Sequence, residues 1–334
     1  MTLNLFLIFV GFVGLVWSAD LFLSGAASTA TNFGIPKLVI GLTVVSLGTS
    51  APEIVVAIIA SQEGSNLLAV GNAIGSNIAN IGLVLGLTAI LIPVKIDSNA
   101  RNKQLPWLLG LTALALILLA NGAALTFNDG IILLFGLVLV IYQIWNDLKR
   151  EDETYVQKIV AGDQSLKTQL DSEIAELATL SKRKGLLFTL LGLGLLLVSA
   201  ELLVYAAINV AVLMGISELI IGLTVVAIGT SLPELAATIG AAVKKQEDIA
   251  VGNIIGSNIL NITAVLCIPA LLGGASIEPS QLVRDGGTML VLTILLALFA
   301  YGFGKKSEVT RLEGSILLVG WFIYTAYLIN NASF

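Results

Sequence analysis

Long apolar runs alternate with short polar breaks from one end of the chain to the other. A helix needs about 20 apolar residues to cross the hydrocarbon core of a bilayer. Runs of that kind predict ten helices, over 3–31, 37–60, 66–93, 105–123, 129–146, 185–212, 218–243, 249–272, 286–304 and 312–330. The longer ones are expected to tilt or break. One long polar stretch, 147–184, separates five spans from five. Inside it Leu170, Ile174 and Leu177 recur at helical spacing, which fits either a short surface helix or a solvated linker. The expected organisation is a first unit over 1–146, a linker over 147–184 and a second unit over 185–334.

Composition supports the membrane reading. Hydrophobic residues make up 57% of 334 positions, charged residues 12%, and the mean hydropathy is +0.97. A soluble domain carries about 25% charged residues, so this chain cannot clothe its outside in polar side chains. The fold class expected is an all-α membrane protein. The N-terminal run 3–17, with Ser18-Ala19 after it, has the look of a signal peptide, but no Lys or Arg precedes it. It is read as the first membrane helix.

The basic residues orient the spans. With alternating helices Lys37, Lys95, Arg101, Lys103, the seven in 147–184, Lys244, Lys245, Lys305, Lys306 and Arg311 fall on one side, and Arg284 alone on the other. The positive-inside rule makes the first side cytoplasmic. A multi-pass protein of the cell membrane is expected, with both termini outside and the linker inside.

Residues 41–87 and 222–268 align without a gap and are identical at about half their positions, which is duplication. The register extends back to Ser18-Ala19-Asp20 against Ser199-Ala200-Glu201. Five spans per copy is an odd number, so the second copy enters the membrane from the opposite side. Two inverted five-helix repeats are typical of secondary transporters, whose site lies near the midplane between the repeats.

Each copy carries Gly-Thr-Ser-x-Pro-Glu near mid-span: Gly48-Thr49-Ser50-Ala51-Pro52-Glu53 and Gly229-Thr230-Ser231-Leu232-Pro233-Glu234. A carboxylate at the bilayer centre costs about 3 kcal/mol or more, so matched glutamates call for a role. Proline and glycine predict a break that frees the carbonyls of Ser46, Leu47, Ala227 and Ile228. Thr49, Ser50, Thr230 and Ser231 add hydroxyls. Oxygen ligands around two negative charges suit hard cations, Ca2+ or Na+. With no histidine in the chain and no sulfur expected nearby, nothing favours softer metals.

A second element, Gly-Asn-x-Ile-Gly-Ser-Asn-Ile-x-Asn, occupies 71–80 and 252–261. It puts Asn72, Ser76 and Asn80 on one helical stripe, and Asn253, Ser257 and Asn261 on another. Such a stripe can ligate a cation or bond helices together. Asn77 and Asn258 share both readings. Asp20 and Glu201, a further matched pair, fit either cation attraction at two entrances or anchoring of neighbouring helices.

These duplicated motifs resemble the alpha repeats of the Ca2+/cation antiporter superfamily, in particular its prokaryotic sodium/calcium exchanger branch. The resemblance covers nearly the whole chain. It implies Ca2+ held by Glu53 and Glu234 with the carbonyls of Thr49 and Thr230. It implies Na+ competing there and in flanking sites built from Ser46, Thr49, Ser50, Ser76, Ala227, Thr230, Ser231 and Ser257. Asn80 and Asn261 would complete the centre. Some relatives, among them the K+-dependent ones, carry Asp where this chain has Asn261, which speaks against K+ co-transport. Gly11, Gly14, Gly192 and Gly194 would let the first and sixth spans slide. A Ca2+/H+ antiporter is the alternative on the same fold, although that branch usually carries an Asn-Ala-x-Glu type sequence in place of Thr-Ser-x-Pro-Glu. A cation channel fits less well and an enzyme is not expected. No cofactor, nucleic acid or obligatory protein partner is implied beyond the lipid bilayer and the two transported ions.

Overall fold

The computed structural model describes residues 1–32, 48–122, 124–160, 180–243, 247–302 and 307–331. The apolar runs become helices: α1 (Thr2–Asn32), α2 (Ala51–Gln62), α3 (Asn66–Leu91), α4 (Ala100–Ala120), α5 (Phe127–Val160), α6 (Lys182–Met214), α7 (Glu218–Thr230), α8 (Leu232–Val243), α9 (Ile249–Leu271), α10 (Pro279–Tyr301) and α11 (Arg311–Asn330). Among the described residues, seven are long and apolar enough to cross a membrane, namely α1, α3, α4, α6, α9, α10 and α11. The pair α7 and α8, bent by 41° at Ser231, can act as an eighth. Two shorter apolar helices, Ala51–Gln62 and Phe127–Gln143, complete the set. The chain is a helical membrane protein.

Several boundaries differ from those expected. Helix α5 runs on to Val160 instead of stopping at 146, because the first part of the polar stretch contains no Gly or Pro to end it. Helices α4 and α10 start several residues early, each through a π-helical turn, Ala100–Gln104 and Leu282–Gly286. The first part of the second span, 37–47, and the surface helix or linker around Leu170, Ile174 and Leu177 lie outside the described residues.

Burial separates two layers. Of the best apolar window, 78% is buried in α3 and 83% in α9, against 28% in α1, α6 and α11. The central pair therefore meets protein on nearly every side, which is why it can carry asparagines. The outer pair presents Phe6, Phe9, Trp17, Leu190 and Val198 to the surroundings, as lipid requires. Helices α1 and α6 run against each other through glycines. A Cβ at Gly11 would lie 3.0 Å from that of Leu203, and one at Gly192 would lie 2.4 Å from the backbone of Phe22. Gly14 lies in the same interface, opposite Ser199, whereas Gly194 faces open space and has no part in it.

Two small antiparallel ladders tie the halves together. β1 (Val94–Lys95) pairs with β4 (Glu308–Val309), and β2 (Ala124–Leu125) pairs with β3 (Ala275–Ser276). Each joins a strand from one half to a strand from the other. Their reciprocal arrangement agrees with a duplicated chain, as do matched π-helical turns that begin at Asn80 and Asn261.

Candidate functional site

Ser50 and Ser231 occupy the same place in their helices with nearly the same backbone, φ −86° and ψ 3° against φ −82° and ψ 2°. Each sits just before a helix that carries Pro and then Glu in its first turn. The break does not free the carbonyl of Ala227, which accepts from the backbone N–H of Ser231 at 3.1 Å and has Thr230 Oγ1 3.3 Å away. Proline deprives the carbonyl four residues before it, so Pro233 acts on Gly229 and Pro52 on Gly48. Ser46 and Leu47 lie outside the described residues.

The asparagine motif reaches this break because glycine allows it. A Cβ on Gly71 would come within 2.4 Å of the carbonyl oxygen of Leu219, and one on Gly75 within 2.7 Å of the Cβ of Ala227. Helix α3 thus lies backbone to backbone against α7, a contact that only small residues permit. It delivers Ser76 to 3.4 Å from Thr230 Oγ1, and Asn72 Oδ1 accepts from the same Thr230 hydroxyl at 3.1 Å.

Bonds between the halves recur around the centre. Thr49 Oγ1 donates to Asn253 Oδ1 at 3.1 Å. Ser50 Oγ lies 2.9 Å from Ser257 Oγ and 3.2 Å from Glu234 Oε1, and Ser257 Oγ lies 3.4 Å from that same carboxylate oxygen. Asn80 Nδ2 donates to Asn258 Oδ1 at 3.1 Å. The glutamates themselves are fully buried.

A set of buried oxygens has no hydrogen-bond partner: both carboxylate oxygens of Glu53, Glu234 Oε2, Ser231 Oγ, Asn77 Oδ1, Asn80 Oδ1 and Asn261 Oδ1. Buried polar atoms are nearly always satisfied. Acceptors outnumber donors here, with no Lys or Arg paired to either glutamate among the described residues. That chemistry matches a cation bound by oxygen. No group of three or more His, Cys, Asp or Glu exists among the described residues, so neutral oxygens must supply most of any coordination shell.

Of the residues singled out in the sequence, Thr49, Ser50, Glu53, Ser76, Asn80, Ala227, Thr230, Ser231, Glu234, Ser257 and Asn261 are all buried. Asp20 and Glu201 are exposed on the outer helices and are not brought to this cluster. Asn72 and Asn253, already placed on the polar stripes, bond helices together, and two further participants, Thr238 and Met289, were not singled out. Asn72 and Asn253 each join the motif threonine of the opposite half. Thr238 accepts from Asn253 Nδ2 at 3.2 Å. Met289 puts its sulfur 3.5 Å from Asn77 Nδ2, contrary to the expectation of no sulfur nearby. From Gly287 onward its helix is apolar on every face but for Thr288 and Thr293, so its buried face carries no sequence signature.

The chain is 40% identical over 326 residues to the inner membrane protein YrbG of Escherichia coli, covering 96% of this chain and 95% of that protein. It is 29% identical over 350 residues to the sodium/calcium exchanger MaX1 of Methanosarcina acetivorans, covering 98% of each. A solved structure of the sodium-calcium exchanger NCX_Mj, soaked with Na+ and Sr2+, superposes with a TM-score of 0.62 at 32% identity, covering 97% of this chain and 98% of the other. The sodium/calcium exchanger protein family matches residues 3–145 and 184–330, and the chain belongs to it.

Proposed function

We propose that this protein exchanges Ca2+ for Na+ across the cell membrane by alternating access, at one site between Glu53 and Glu234. The observation that carries the reading is the pair of buried carboxylates among unpartnered oxygens contributed by both halves. Thr49, Ser50, Ser76, Asn80 and their counterparts Thr230, Ser231, Ser257 and Asn261 supply the remaining oxygens, with Ser46 as a flanking ligand. The organisation proposed is ten spans in two inverted repeats, 1–146 and 185–334. The termini lie outside and the 147–184 linker inside.

Charge balance gives the coupling. One Ca2+ neutralises two carboxylates, and so do two Na+, while further Na+ can use neutral oxygens. Without cations two negative charges would sit in a low-dielectric interior, where a charge costs several kcal/mol. Only loaded states then switch readily between the two faces, since a ligand shifts such an equilibrium by its differential affinity. Exchange follows, and leak is suppressed.

The test is 45Ca2+ uptake into proteoliposomes loaded with Na+ and diluted into Na+-free or equal-Na+ medium. Uptake that needs the outward Na+ gradient and disappears in Glu53→Gln supports the proposal. Uptake driven by an imposed pH gradient alone assigns the protein to Ca2+/H+ exchange instead. Uptake that persists without any counter-gradient, at rates matching exchange, identifies a leak pathway and overturns the coupling.

A further inference from the structure

Helices α1 and α6 cross as a symmetric pair. In the repeat register that matches Ser18 with Ser199, Gly11 corresponds to Gly192 and Phe22 to Leu203. Gly11 packs on Leu203 and Gly192 on Phe22, so one contact is made twice and the helices run antiparallel. In an antiparallel pair the residue after each contact turns to the same side of both helices. Phe12 and Val204 therefore lie side by side toward one end. Leu23 and Leu193 lie side by side toward the other, about 16 Å further along α1.

What the pair rests on is not symmetric. The ring of Phe12 takes the place where a Cβ on Gly229 would stand. At the matching motif glycine, Gly48, a Cβ would lie 2.6 Å from Leu23 Cδ1. Both neighbours belong to α1, whereas two-fold symmetry would put Leu193, the counterpart of Phe12, on Gly48. Leu193 is instead 39% exposed, although it turns to the same side as Leu23, toward the core. Val204, beside Phe12, is fully buried. Phe12 is seated on its motif glycine, and its counterpart is not. Gly229 is also the residue whose carbonyl Pro233 deprives of a helical partner, so Phe12 lies on the break itself.

We propose that Phe12 and Leu193 are alternating apolar gates over the cation site. Phe12, seated on Gly229, shuts the route from the end where α1 begins, the outer end in the orientation proposed above. Leu193, unseated, leaves the inner route open. In the two-fold related conformation Leu193 seats on Gly48 and Phe12 withdraws in favour of Val204. The motif glycines then have a use beyond breaking the helix, since each leaves room for a gate side chain. The inference rests on the alternating access proposed above and names the residues that close each route.

The experiment follows labelling of Leu193→Cys by a membrane-impermeant maleimide in purified protein. The background is Cys267→Ser, which removes the chain's one native cysteine. Leu193→Cys should label readily. Adding Gly229→Ala puts a Cβ against the Phe12 ring, disfavours this conformation and should slow labelling about fivefold or more. Phe12→Trp overfills the same place from the other side and should act alike, which keeps the test if Gly229→Ala fails to fold. Phe12→Ala combined with Gly229→Ala should restore the rate. Gly48→Ala, which meets only the end of the Leu23 side chain, should change it less than about twofold. Leu193→Cys that does not label overturns the proposal, as does a rate that neither Gly229→Ala nor Phe12→Trp alters. A slowing that Phe12→Ala fails to relieve, or an equal slowing by Gly48→Ala, marks general loosening and also overturns it. Labelling requires no Ca2+ transport, so wild-type protein that takes up no Ca2+ under a Na+ gradient sinks the exchange reading alone.

Discussion

Glu53 and Glu234 stand at matched positions in duplicated motifs, yet their surroundings differ. Glu234 has one oxygen beside two hydroxyls, those of Ser50 and Ser257. Neither oxygen of Glu53 meets a serine, although Ser231 and Ser76 stand at the mirror positions to play the same parts. Ser231 Oγ has no partner, and Ser76 turns to Thr230 instead. Identical residues thus make different bonds. The difference cannot come from residue type at these positions, so it belongs to the conformation. A conformation related by the two-fold repeat would exchange the roles, which is the property an alternating carrier needs.

The comparison can be broken in several places. The largest effect is expected at the carboxylates, where Glu53→Gln and Glu234→Gln each remove one of two charges facing a divalent ion. Each should lower Ca2+ affinity by about 100-fold or more, read by equilibrium binding. An effect confined to one of them would mean that the halves do not share one site. Next come the serines. If the halves exchange roles, Ser50→Ala and Ser231→Ala should slow Na+-dependent Ca2+ uptake by comparable factors, about five- to tenfold. A loss in Ser50→Ala alone would mean that the bonds described here persist throughout the cycle.

Packing supplies a third test. Gly75→Val should cost about 1–3 kcal/mol of stability, since a side chain there must push α3 away from α7. Thermal unfolding in detergent reads it, and an unchanged Tm would contradict the close approach. The smallest effect is expected at Ser65, which donates to Glu218 Oε1 at 3.1 Å far from the centre. Ser65→Ala should cost about 1 kcal/mol in stability and leave Ca2+ affinity unchanged.

Much of the site was legible because the membrane makes polarity expensive. Glu53 and Glu234 stand out in an apolar span as they would not in a soluble protein. The asparagine stripes were legible for the same reason. The break at Ser231 was foreseen from Gly and Pro, but the freed carbonyls were placed at Ala227 and Ile228, whereas the four-residue register counted back from Pro233 reaches Gly229. The π-helical turns at Asn80 and Asn261 left no mark in the apolar pattern. Thr238 did leave a signal, the mismatch with Ala57 in otherwise aligned helices, but a hydroxyl in an apolar helix commonly bonds its own backbone, as Thr293 does. Only the tertiary contact with Asn253 separates the two uses. Met289 left none at all.

The central claim is that both glutamates hold one exchangeable cation site. It is tested most directly by equilibrium 45Ca2+ binding to the purified protein, titrated with Na+ and repeated on Glu53→Gln and Glu234→Gln. The account predicts saturable Ca2+ binding that Na+ displaces and that either substitution abolishes. Saturable binding that survives Glu53→Gln, or that Na+ fails to displace, would contradict it.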